Sequence, residues 1–444
     1  MSITHITSTG KEIVFNEQQE QAIQEILNWI FKSPNISHTL SGFAGTGKTT
    51  LVNYVLEDLD QNRIAVTAPT HKAKLVISKA TGRTGQTIQA LLGLRPNVSL
   101  EDFDANNPTF SQMAEPTISG YSLLIIDEAS MLNKDLCSKI IQEAELFNVK
   151  VLFMGDEAQL PPINEEISLV FQNPSISKLT KVERQATDNP LMSVYDAIRN
   201  NLSSPQEPYS KKTNMKKGIG IKFLTDPKPF LKEAIKHIKK DPYKNKILCY
   251  TNNKVEEWNR EVRKEIIGEN TRVIEPGDIL MAYNTIGKGE QMIYNSSDYK
   301  VITVGELTTK YGIEIYPVEL EDEQGEVYRQ NFIELTEENK EKFNRMVGER
   351  ARFAKTRTVK KERAQAWGDY YKFKNQFMLL EKVGEVSKDF DYGFAITVHK
   401  SQGSTYDNVF VDEKDLNINR NNTERNKLKY VAFSRPVSGV YCLV

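Results

Sequence analysis

Residues 38–49 read HTLSGFAGTGKT, and this stretch decides the fold. Its apolar start predicts a short strand at 38–40, a glycine-rich turn follows, and the residues at 48–59 are typical of a helix. Glycines allow backbone N–H groups to curl around phosphate oxygens, and the following helix points its positive end at the same phosphates. The stretch therefore predicts a phosphate-binding loop, in which Lys48 contacts the β- and γ-phosphates of ATP and Thr49 ligates Mg²⁺.

Strands and helices alternate on both sides of this loop. Apolar residues recur at helical spacing over 16–31, and further apolar strands are predicted at 63–68, 122–126 and 150–154. This alternation predicts an α/β fold with a parallel sheet covered by helices. A second α/β block is predicted from about residue 185, with a strand at 246–251 and a helix at 254–267.

The sequence pattern changes inside this second block. Short β segments separated by turn residues, as in a small barrel, are predicted at 279–283, 299–306, 312–320 and 326–334. A polar helical stretch follows at 336–377, and strands return at 392–398 and 408–411. We therefore predict that a β-rich module at 277–384 is inserted into the second block.

Another insertion is predicted in the first block, at 95–120. This stretch contains Pro96, Pro108 and Pro116 among asparagine and aspartate residues, and it interrupts the α/β alternation. Phe103 and Phe110 are embedded in it. A surface loop is the simpler interpretation of this composition, and the pattern leaves both interpretations open.

The composition of the 444 residues limits the classes of function. The net charge is −1, whereas a protein that only coats nucleic acid carries a basic excess, so contacts with nucleic acid must come from local patches. The three cysteines form no CxxC pair and are expected to be reduced thiols, and the five histidines form no metal-ligand cluster. Because no signal sequence and no long apolar run is present, secretion and membrane insertion are not expected.

Two further strands end in polar residues. The strand in LLIIDEAS (123–130) ends in Asp127 and Glu128, at the sheet edge where open α/β folds bind ligands. Asp127 is predicted to hold Mg²⁺, and Glu128 to orient or deprotonate the attacking water. In GDEAQLPP (155–162), Gln159 is able to hydrogen-bond the γ-phosphate or the water, with a plain polar turn as the alternative.

Two arginines complete this set. Arg184 lies in LTKVERQ (179–185), at the boundary between the two blocks, and Arg435 lies in YVAFSR (430–435), on the second block. A guanidinium fork neutralises the charge that phosphoryl transfer spreads over the γ-phosphate oxygens. Spacing alone does not separate this role from that of a surface arginine. The predicted catalytic residues are thus Lys48, Glu128, Gln159, Arg184 and Arg435.

In this order, the motifs resemble those of superfamily 1 helicases of the 5′-to-3′ branch, the RecD-like group. The resemblance runs from about residue 15 to residue 435. It is carried by GFAGTGKTT, AVTAPTHKA, IIDEAS, GDEAQLPP, the arginine segment at 182–185, LCYTNN, AITVHKSQGST and YVAFSRP. The chain departs from the pattern at Phe433 and Pro436, where smaller or aliphatic residues are usual, and we expect this to alter local packing rather than the arginine chemistry.

The resemblance implies two RecA-like domains, an SH3-like β-barrel module and a pin that splits the duplex. Motor domain 1 would comprise 1–184 with the pin at 95–120, motor domain 2 would comprise 185–276 and 385–444, and the module 277–384. It implies an ATP-dependent DNA helicase that moves 5′-to-3′ on single-stranded DNA, with ATP and Mg²⁺ between the two domains. The implied partners are single-stranded and forked duplex DNA and single-strand-binding or replisome proteins, but no membrane, for a monomer in the cytoplasm of a bacterium or a phage-infected host.

The resemblance also assigns individual residues. The nucleotide is expected to contact Gln19, which would read the adenine, Gly403, and the loop residues Gly45, Thr46, Gly47, Lys48, Thr49 and Thr50. The nucleic acid is expected to contact Thr70, His71, Thr87, Thr251, Asn252, Thr397, His399 and Ser401. Phe103 and Phe110 are the aromatic candidates for the pin. Hydroxyl and amide groups after apolar strands suit a grip on the backbone that does not read sequence.

A basic and aromatic stretch at 350–374 stands outside these motifs. It is suited to hold the incoming duplex or the displaced strand, and a solvated helix is the equal alternative. Two other interpretations of the whole chain also stay open. One is an RNA-directed motor of the same fold, and the other is a nucleotide-gated binding or clamp protein that does not unwind. The polarity of movement rests on the resemblance alone.

Overall fold

The computed structural model describes residues 3–6, 12–96, 110–112, 114–162, 165–182, 190–269, 271–287 and 291–444. Contacts along the chain define two compact units. Unit 1 comprises Met1–Phe223, Ser401–Thr405 and Leu416–Val440, and unit 2 comprises Leu224–Lys400, Tyr406–Asp415 and Tyr441–Val444. The predicted domain boundaries stay predictions. Within the described ranges, the helices lack the combination of length and apolar character that crossing a bilayer requires.

The helices are numbered in chain order. They are α1 (Glu17–Lys32), α2 (Lys48–Leu56), α3 (His71–Thr81), α4 (Ile88–Leu91), α5 (Lys134–Phe147), α6 (Pro190–Arg199), α7 (Pro227–Lys240), α8 (Asn252–Ile266), α9 (Glu337–Lys355), α10 (Lys360–Lys374), α11 (Glu413–Leu416) and α12 (Asn422–Ser434). The helices predicted at 16–31, 48–59 and 254–267 correspond to α1, α2 and α8.

The strands are numbered in the same way. They are β1 (Thr4–Ile6), β2 (Glu12–Val14), β3 (Ser37–Gly42), β4 (Ile64–Ala68), β5 (Gln86–Thr87), β6 (Leu94–Pro96), β7 (Phe110–Gln112), β8 (Leu123–Ile126), β9 (Lys150–Gly155), β10 (Ile176–Leu179), β11 (Asn214–Lys216), β12 (Ile219–Leu224), β13 (Asn245–Cys249), β14 (Ile279–Ala282), β15 (Asp298–Val304), β16 (Thr308–Lys310), β17 (Ile313–Glu321), β18 (Val327–Ile333), β19 (Phe390–Tyr392), β20 (Ala395–Thr397), β21 (Tyr406–Asp412) and β22 (Pro436–Leu443).

Unit 1 is built on a parallel sheet with the strand order β10-β3-β9-β8-β4-β5. Every residue of β4 and β8 is buried, as expected of strands covered on both faces. Successive residues of β9, Leu152 and Phe153, belong to two different apolar clusters, because alternate side chains point to opposite faces of a sheet. The predicted α/β fold with a parallel sheet is confirmed.

The parallel strands bring the predicted motifs to one edge of the sheet. β3 runs into the glycine-rich turn, β8 into Asp127, and β9 into Asp156. Because strands in a parallel sheet share one direction, these three connections leave from the same edge, where open α/β folds bind their ligands. The site described below is positioned by this strand order.

The insertion predicted at 95–120 contains part of a two-stranded ladder and ends in a short 3-10 helix at Ile118–Gly120. β6 pairs with β7 in antiparallel register, with Leu94 opposite Gln112. Phe103 lies outside the described residues, and Phe110 is the first residue of β7. A pin therefore stays a prediction.

In unit 2, β13 pairs in parallel with β20 on one side and β21 on the other. The single strand predicted at 392–398 was wrong, because β19 ends at Tyr392, β20 begins at Ala395, and the two strands belong to different sheets. The buried Asn259 of α8 satisfies the backbone at this break. Its Nδ2 donates to the carbonyl of Tyr392 at 2.7 Å, and its Oδ1 accepts from the N–H of Ala395 at 2.7 Å.

The second sheet of unit 2 is antiparallel, with the order β16-β17-β15-β14-β19 and β18 paired to β17. It contains the four β segments predicted between 279 and 334, and its buried side chains form an apolar cluster of their own. An SH3-like classification stays a prediction. The polar helical stretch predicted at 336–377 is a hairpin of two helices, α9 and α10, broken at 356–359.

Candidate nucleotide and nucleic-acid site

The glycine-rich turn between β3 and α2 contains two residues in the left-handed backbone region. Gly45 has a φ of 85° and Gly47 a φ of 80°. A Cβ atom at Gly47 would lie 2.6 Å from Nε2 of Gln19, so both space and backbone conformation require glycine there. The N–H of Thr46 donates to the carbonyl of Phe43 at 3.2 Å. The turn is thus a tight cradle that leads into the amino end of α2.

Lys48 and Gln19 both hold the backbone of this turn. Nζ of Lys48 donates to two of its carbonyl oxygens, one of them that of Phe43 at 3.2 Å. Gln19 is buried, its Nε2 donates to the carbonyl of Thr46 at 3.0 Å, and its Oε1 accepts from the N–H of Asn16 at 3.0 Å. The amide keeps a second N–H and a second lone pair for other partners, and the adenine contact of Gln19 stays a prediction.

Asp127 and Glu128 follow β8. The backbone N–H of Glu128 donates to Oδ1 of Asp127 at 2.9 Å. Burial raises the pKa of Asp127 to about 6, the charge of Glu128 adds to this rise, and the charges of Lys48 and Arg435 oppose it. Glu128 itself has a φ of 50°, which is uncommon for a residue other than glycine and marks a strained backbone at this position.

Arg435 follows α12 and contacts the residues at the ends of β8 and β9. Its Nη2 donates to Oε1 of Gln159 at 2.8 Å, and its Nη1 lies 3.4 Å from Oε1 of Glu128. Its Nε–H is buried and has no hydrogen-bond partner in the described part of the chain. The structure therefore brings together Arg435, Glu128, Gln159 and, through their charges, Lys48 and Asp127. Arg184 lies outside the described residues.

Sequence reasoning missed two residues of this site, Asp156 and Tyr430. Oη of Tyr430 donates to Oδ2 of Asp156 at 2.8 Å, and the N–H of Ala44 donates to the same oxygen at 3.1 Å. Burial raises the pKa of Asp156 and raises that of Tyr430 well above its ordinary value. The pair ties α12, which leads to Arg435, to the glycine-rich turn. Both residues stand inside motifs that the sequence had singled out.

Two threonines predicted to contact nucleic acid are helix N-caps of unit 1. Thr70 caps α3 and Thr87 caps α4, and each Oγ1 accepts from the backbone N–H three residues later at 3.2 Å. The remaining N–H groups of a first turn are suited to a phosphate. His71 begins α3, and burial followed by the charge of Lys74 lowers its pKa to about 3, so the imidazole is neutral at pH 7.

The segment at 401–405 packs against the start of α3. A Cβ atom at Gly403, whose φ is 73°, would lie 2.9 Å from Cβ of Ala73 and 3.4 Å from Oγ1 of Thr70. Only glycine allows this approach without strain. Ser401 is fully buried in this conformation. The predicted contact of Gly403 with the nucleotide and the predicted contact of Ser401 with nucleic acid stay predictions.

In unit 2, Thr251 is the N-cap of α8 and Asn252 is the first residue of that helix. Asp415, a residue that sequence reasoning missed, holds this segment. Its Oδ2 accepts from the N–H groups of Tyr250 and Thr251 at 2.6 and 2.8 Å, and its Oδ1 accepts from Oγ1 of Thr251 at 2.7 Å. The connection between β13 and α8 is thus fixed by one buried carboxylate.

Thr397 and His399 lie next to this connection. Thr397 ends β20, which pairs with β13, and its Oγ1 accepts from the N–H of Lys400 at 3.4 Å. The ring of His399 lies 6.4 Å from the ring of Tyr250, measured between centroids. Three of the residues predicted to contact nucleic acid, Thr251, Thr397 and His399, therefore lie on two neighbouring strand ends.

Two family models match the chain. The AAA domain matches residues 14–214, and the UvrD-like helicase C-terminal domain matches residues 392–441. The first range contains the glycine-rich turn, Glu128 and Gln159, and the second contains the segment around His399 and Arg435. The matches thus cover both ends of the chain that supply the site of unit 1.

Two relatives and one solved structure extend this similarity. The ATP-dependent DNA helicase dda of Enterobacteria phage T4 is 26% identical over 431 residues, which are 89% of this chain and 91% of the relative. The ATP-dependent RecD2 DNA helicase of Deinococcus radiodurans is 35% identical over 158 residues, 34% of this chain and 20% of the relative. This chain is a homologue of the superfamily 1 helicases. The predicted resemblance to the RecD-like group of superfamily 1 helicases is confirmed.

The fold of this chain is similar to that in a crystal structure of the Pif1 helicase from Bacteroides in complex with ADP-AlF3 and single-stranded DNA. The TM-score is 0.51 at 18% identity, and the alignment covers 97% of this chain and 92% of the other. At this level of identity the likeness shows the fold alone.

In this chain, the residues of the site fit a nucleotide and Mg²⁺. Gly45 and Gly47 form a cradle that a side chain would fill, and the buried Nε–H of Arg435 is a donor suited to a phosphate oxygen. Thr49 in the first turn of α2 and the carboxyl group of Asp127 are the hard oxygen ligands that Mg²⁺ prefers. Among the described residues, acidic, cysteine and histidine side chains form no group of three or more that could hold a metal.

Proposed function

We propose that this chain is an ATP-dependent DNA helicase that translocates 5′-to-3′ on single-stranded DNA and unwinds forked duplexes. The match to the phage T4 helicase over nine-tenths of both chains supports an ATP-dependent DNA helicase. The direction of movement is carried over from the RecD-like group that the motifs resemble.

One observation carries the proposal, namely the contact of Arg435 with both Gln159 and Glu128. A protein that only binds a nucleotide needs the cradle and Lys48, but it has no use for a carboxylate, an amide and a guanidinium that meet at the edge of the sheet. Phosphoryl transfer needs all three, because a water must be activated and negative charge on the γ-phosphate must be neutralised. The arrangement therefore favours hydrolysis over nucleotide-gated binding.

The roles of the individual residues follow from their chemistry. Lys48 and the N–H groups of the turn bind the phosphates, and Glu128 orients the attacking water and takes its proton. Gln159 hydrogen-bonds the γ-phosphate or that water, and Arg435 neutralises the developing charge. Thr49 and Asp127 would hold Mg²⁺, which supplies charge neutralisation at the phosphates when bound. Arg184 is retained as a second arginine on the resemblance alone.

The proposal retains the domain organisation that the resemblance implies. Two RecA-like domains, 1–184 and 185–276 with 385–444, would hydrolyse ATP between them. A pin at 95–120 and an SH3-like module at 277–384 would engage the fork. The threonine and histidine residues at strand ends would grip the DNA backbone, and each ATP cycle would alternate the tighter grip, a coupling free energy between two sites.

Unwinding of duplexes that carry either a 5′ or a 3′ single-stranded tail tests the proposal. With ATP and Mg²⁺, the chain is expected to unwind the 5′-tailed duplex and to leave the 3′-tailed duplex intact. Lys48→Ala is the matched control, and it should fold normally and unwind neither substrate. Unwinding of the 3′-tailed duplex alone would contradict the polarity, and ATP hydrolysis without unwinding of either would favour the clamp interpretation. Stronger stimulation of ATP hydrolysis by RNA than by DNA of equal length would favour an RNA motor.

A further inference from the structure

We propose that the tip of the α9–α10 hairpin, residues 352–363, binds the phosphate backbone of double-stranded DNA. The inference rests on the proposed function, and it assigns a role to the basic stretch that the helicase motifs do not include. The tip comprises the last turn of α9, the connection at 356–359 and the first turn of α10.

The tip concentrates positive charge on a chain whose net charge is −1. Its twelve residues contain one acidic side chain, Glu362, and the six cationic side chains of Arg352, Lys355, Arg357, Lys360, Lys361 and Arg363. All six are exposed except Arg357, which is half-buried. Arg352, Lys360, Lys361 and Arg363 form no ion pair with any residue that the structure describes. These cations are therefore available to an external anion.

The placement of the charges disfavours a purely structural explanation. Lys360 and Lys361 begin α10, where the helix dipole is positive and cations destabilise the helix. Val359 precedes them as N-cap and provides no side-chain hydrogen bond. Solubility alone does not require cations at the start of this helix. A polyanion bound at the tip would attract these cations, and this attraction would offset their unfavourable interaction with the helix dipole. The inference rests on the whole basic patch, of which the end of the helix is one part.

The hairpin holds the tip in one conformation. Buried side chains along the two helices, among them Val347 and Tyr370, pack the hairpin together. At the tip, the guanidinium of Arg357 lies over the ring of Phe353 at 4.0 Å from its centroid, and Nε of Arg363 donates to the carbonyl of Arg357 at 3.0 Å. The cations are thus presented on a preformed surface, which lowers the entropy cost of binding.

Most of the length of α9 separates the tip from the contact that this helix makes with the antiparallel sheet. Near the start of α9, Oδ1 of Asn339 accepts from the N–H of Glu314 in β17 at 3.2 Å. From Asn339 to Lys355 the helix extends by about 24 Å at its rise of about 1.5 Å per residue.

The side chains around the tip favour a duplex over a single strand. Proteins that bind single strands stack bases on exposed aromatic rings. In the hairpin, Tyr370 and Phe373 are buried, Trp367 and Tyr371 are partly covered, and Arg357 lies over one face of the exposed ring of Phe353. What remains is a set of cations, which recognises phosphates and not bases, and a duplex presents phosphates with its bases stacked inside.

A charge-removal variant tests the inference. R352Q/K360Q/K361Q replaces three exposed cations by residues that keep helix propensity, and K228Q/K232Q/K240Q removes three exposed lysines from α7 as the matched control. Fluorescence anisotropy would measure binding to a blunt duplex of about 20 base pairs and to oligo(dT) of equal length, over roughly 50–200 mM NaCl. For the duplex, the plot of the logarithm of the association constant against the logarithm of the salt concentration has a negative slope. This slope is expected to become less steep by about 2–3 in the tip variant alone.

The same proteins separate this inference from the proposed function. Stimulation of ATP hydrolysis by oligo(dT) should be equal in the parent, the tip variant and the control. Its absence in the parent would refute the proposed function. Normal stimulation with an unchanged duplex slope in the tip variant would refute the inference alone, and would leave an acidic protein surface as the partner class. An equal loss of duplex binding in tip variant and control, or an equal loss for duplex and single strand, would also refute it.

Discussion

Among the single residues, His38 lies in the strand that leads to the glycine-rich turn, stacked on Trp29 at 5.5 Å between ring centroids. Its ring nitrogens hydrogen-bond with the hydroxyl groups of Ser175 at 2.7 Å and Ser177 at 2.9 Å. Burial lowers the pKa of His38 to about 4, and the charge of Glu25 opposes this shift. The folded chain thus holds a neutral imidazole that the unfolded chain would protonate below about pH 6.5.

This depressed pKa predicts a loss of stability in acid. Because the unfolded state binds the proton more readily, the free energy of unfolding should fall as the pH drops from about 6.5 toward 4. Between pH 7 and pH 5 the parent is expected to lose about 2 kcal/mol more than His38→Gln, which has no group to titrate. Urea unfolding of both proteins at the two pH values measures this difference. Equal losses in both proteins would contradict the prediction.

The hydroxyl group of Tyr430 links α12 to the glycine-rich turn through Asp156, and this link can be tested by one substitution. Tyr430→Phe removes the hydroxyl that donates to Asp156 but keeps the ring, so α12 should stay folded while its tie to the turn at Ala44 weakens. Loss of a hydrogen bond to a charged group predicts an increase in the KM for ATP of about tenfold, with a smaller change in kcat. Tyr209→Phe is the control, because Tyr209 packs on Phe433 of the same helix. An unchanged KM in Tyr430→Phe would exclude this positioning role.

Local motifs in the sequence indicate some residues of the site and not others. Lys48, Glu128, Gln159 and Arg435 were selected as site residues because each belongs to a motif whose chemistry demands that residue type, and the structure brings Arg435 into contact with Glu128 and Gln159. Tyr430 could not be assigned a role, because its partner Asp156 lies 274 positions away in the sequence, and no local pattern predicts a hydrogen bond over that separation.

Among the elements, the connection between β13 and α8 depends on Asp415, which accepts three hydrogen bonds from Tyr250 and Thr251. Asp415→Ala would leave two backbone N–H groups without a partner, and we expect a loss of about 2–4 kcal/mol in the stability of this segment. Because Thr251 is proposed to grip DNA, the affinity for oligo(dT) should fall by about tenfold. Asp415→Asn keeps an acceptor for the N–H groups and should restore most of both properties. Binding that is unchanged in Asp415→Ala, measured by anisotropy, would contradict the prediction.

The elements themselves could largely be predicted, and their exceptions have physical causes. Helix α1 follows the apolar spacing that predicted it, since that spacing reports the buried face directly. The helices predicted at 48–59 and 254–267 correspond to α2 and α8. The strand predicted at 392–398 fails, because a continuous apolar pattern does not reveal that Asn259 binds the backbone on both sides of a break. The threonines Thr70, Thr87 and Thr251 were predicted to contact nucleic acid. They are also helix N-caps, so their hydroxyl groups have a structural role that the motifs do not reveal.

For the whole molecule, the α/β class could be predicted from the sequence, whereas the two compact units follow from contacts between distant segments. Residues of the segment Leu416–Val440 belong to unit 1, although they follow more than 150 residues of unit 2 in the sequence. Hydrophobic periodicity reports which face of an element is buried and does not report which distant element covers it. Arg435 was placed on the second block for this reason, and the structure groups it with the residues of unit 1 that it contacts.

Nucleotide binding should stabilise the whole molecule in a way that separates binding from hydrolysis. A ligand at a hundredfold excess over its Kd stabilises the folded state by about 2.7 kcal/mol, which for a chain of this size corresponds to a rise in Tm of roughly 3 °C. A nonhydrolysable ATP analogue with Mg²⁺ is expected to raise the Tm of the parent and of Glu128→Gln alike, and to leave that of Lys48→Ala unchanged. Glu128→Gln should meanwhile lose ATP turnover by about a hundredfold or more, because it keeps the phosphate cradle and removes the proton acceptor.

The analogue without Mg²⁺ is the control and should stabilise less. If Lys48→Ala were stabilised as much as the parent, the nucleotide would bind outside the glycine-rich turn, and if Glu128→Gln kept full turnover, the water would be activated by another group.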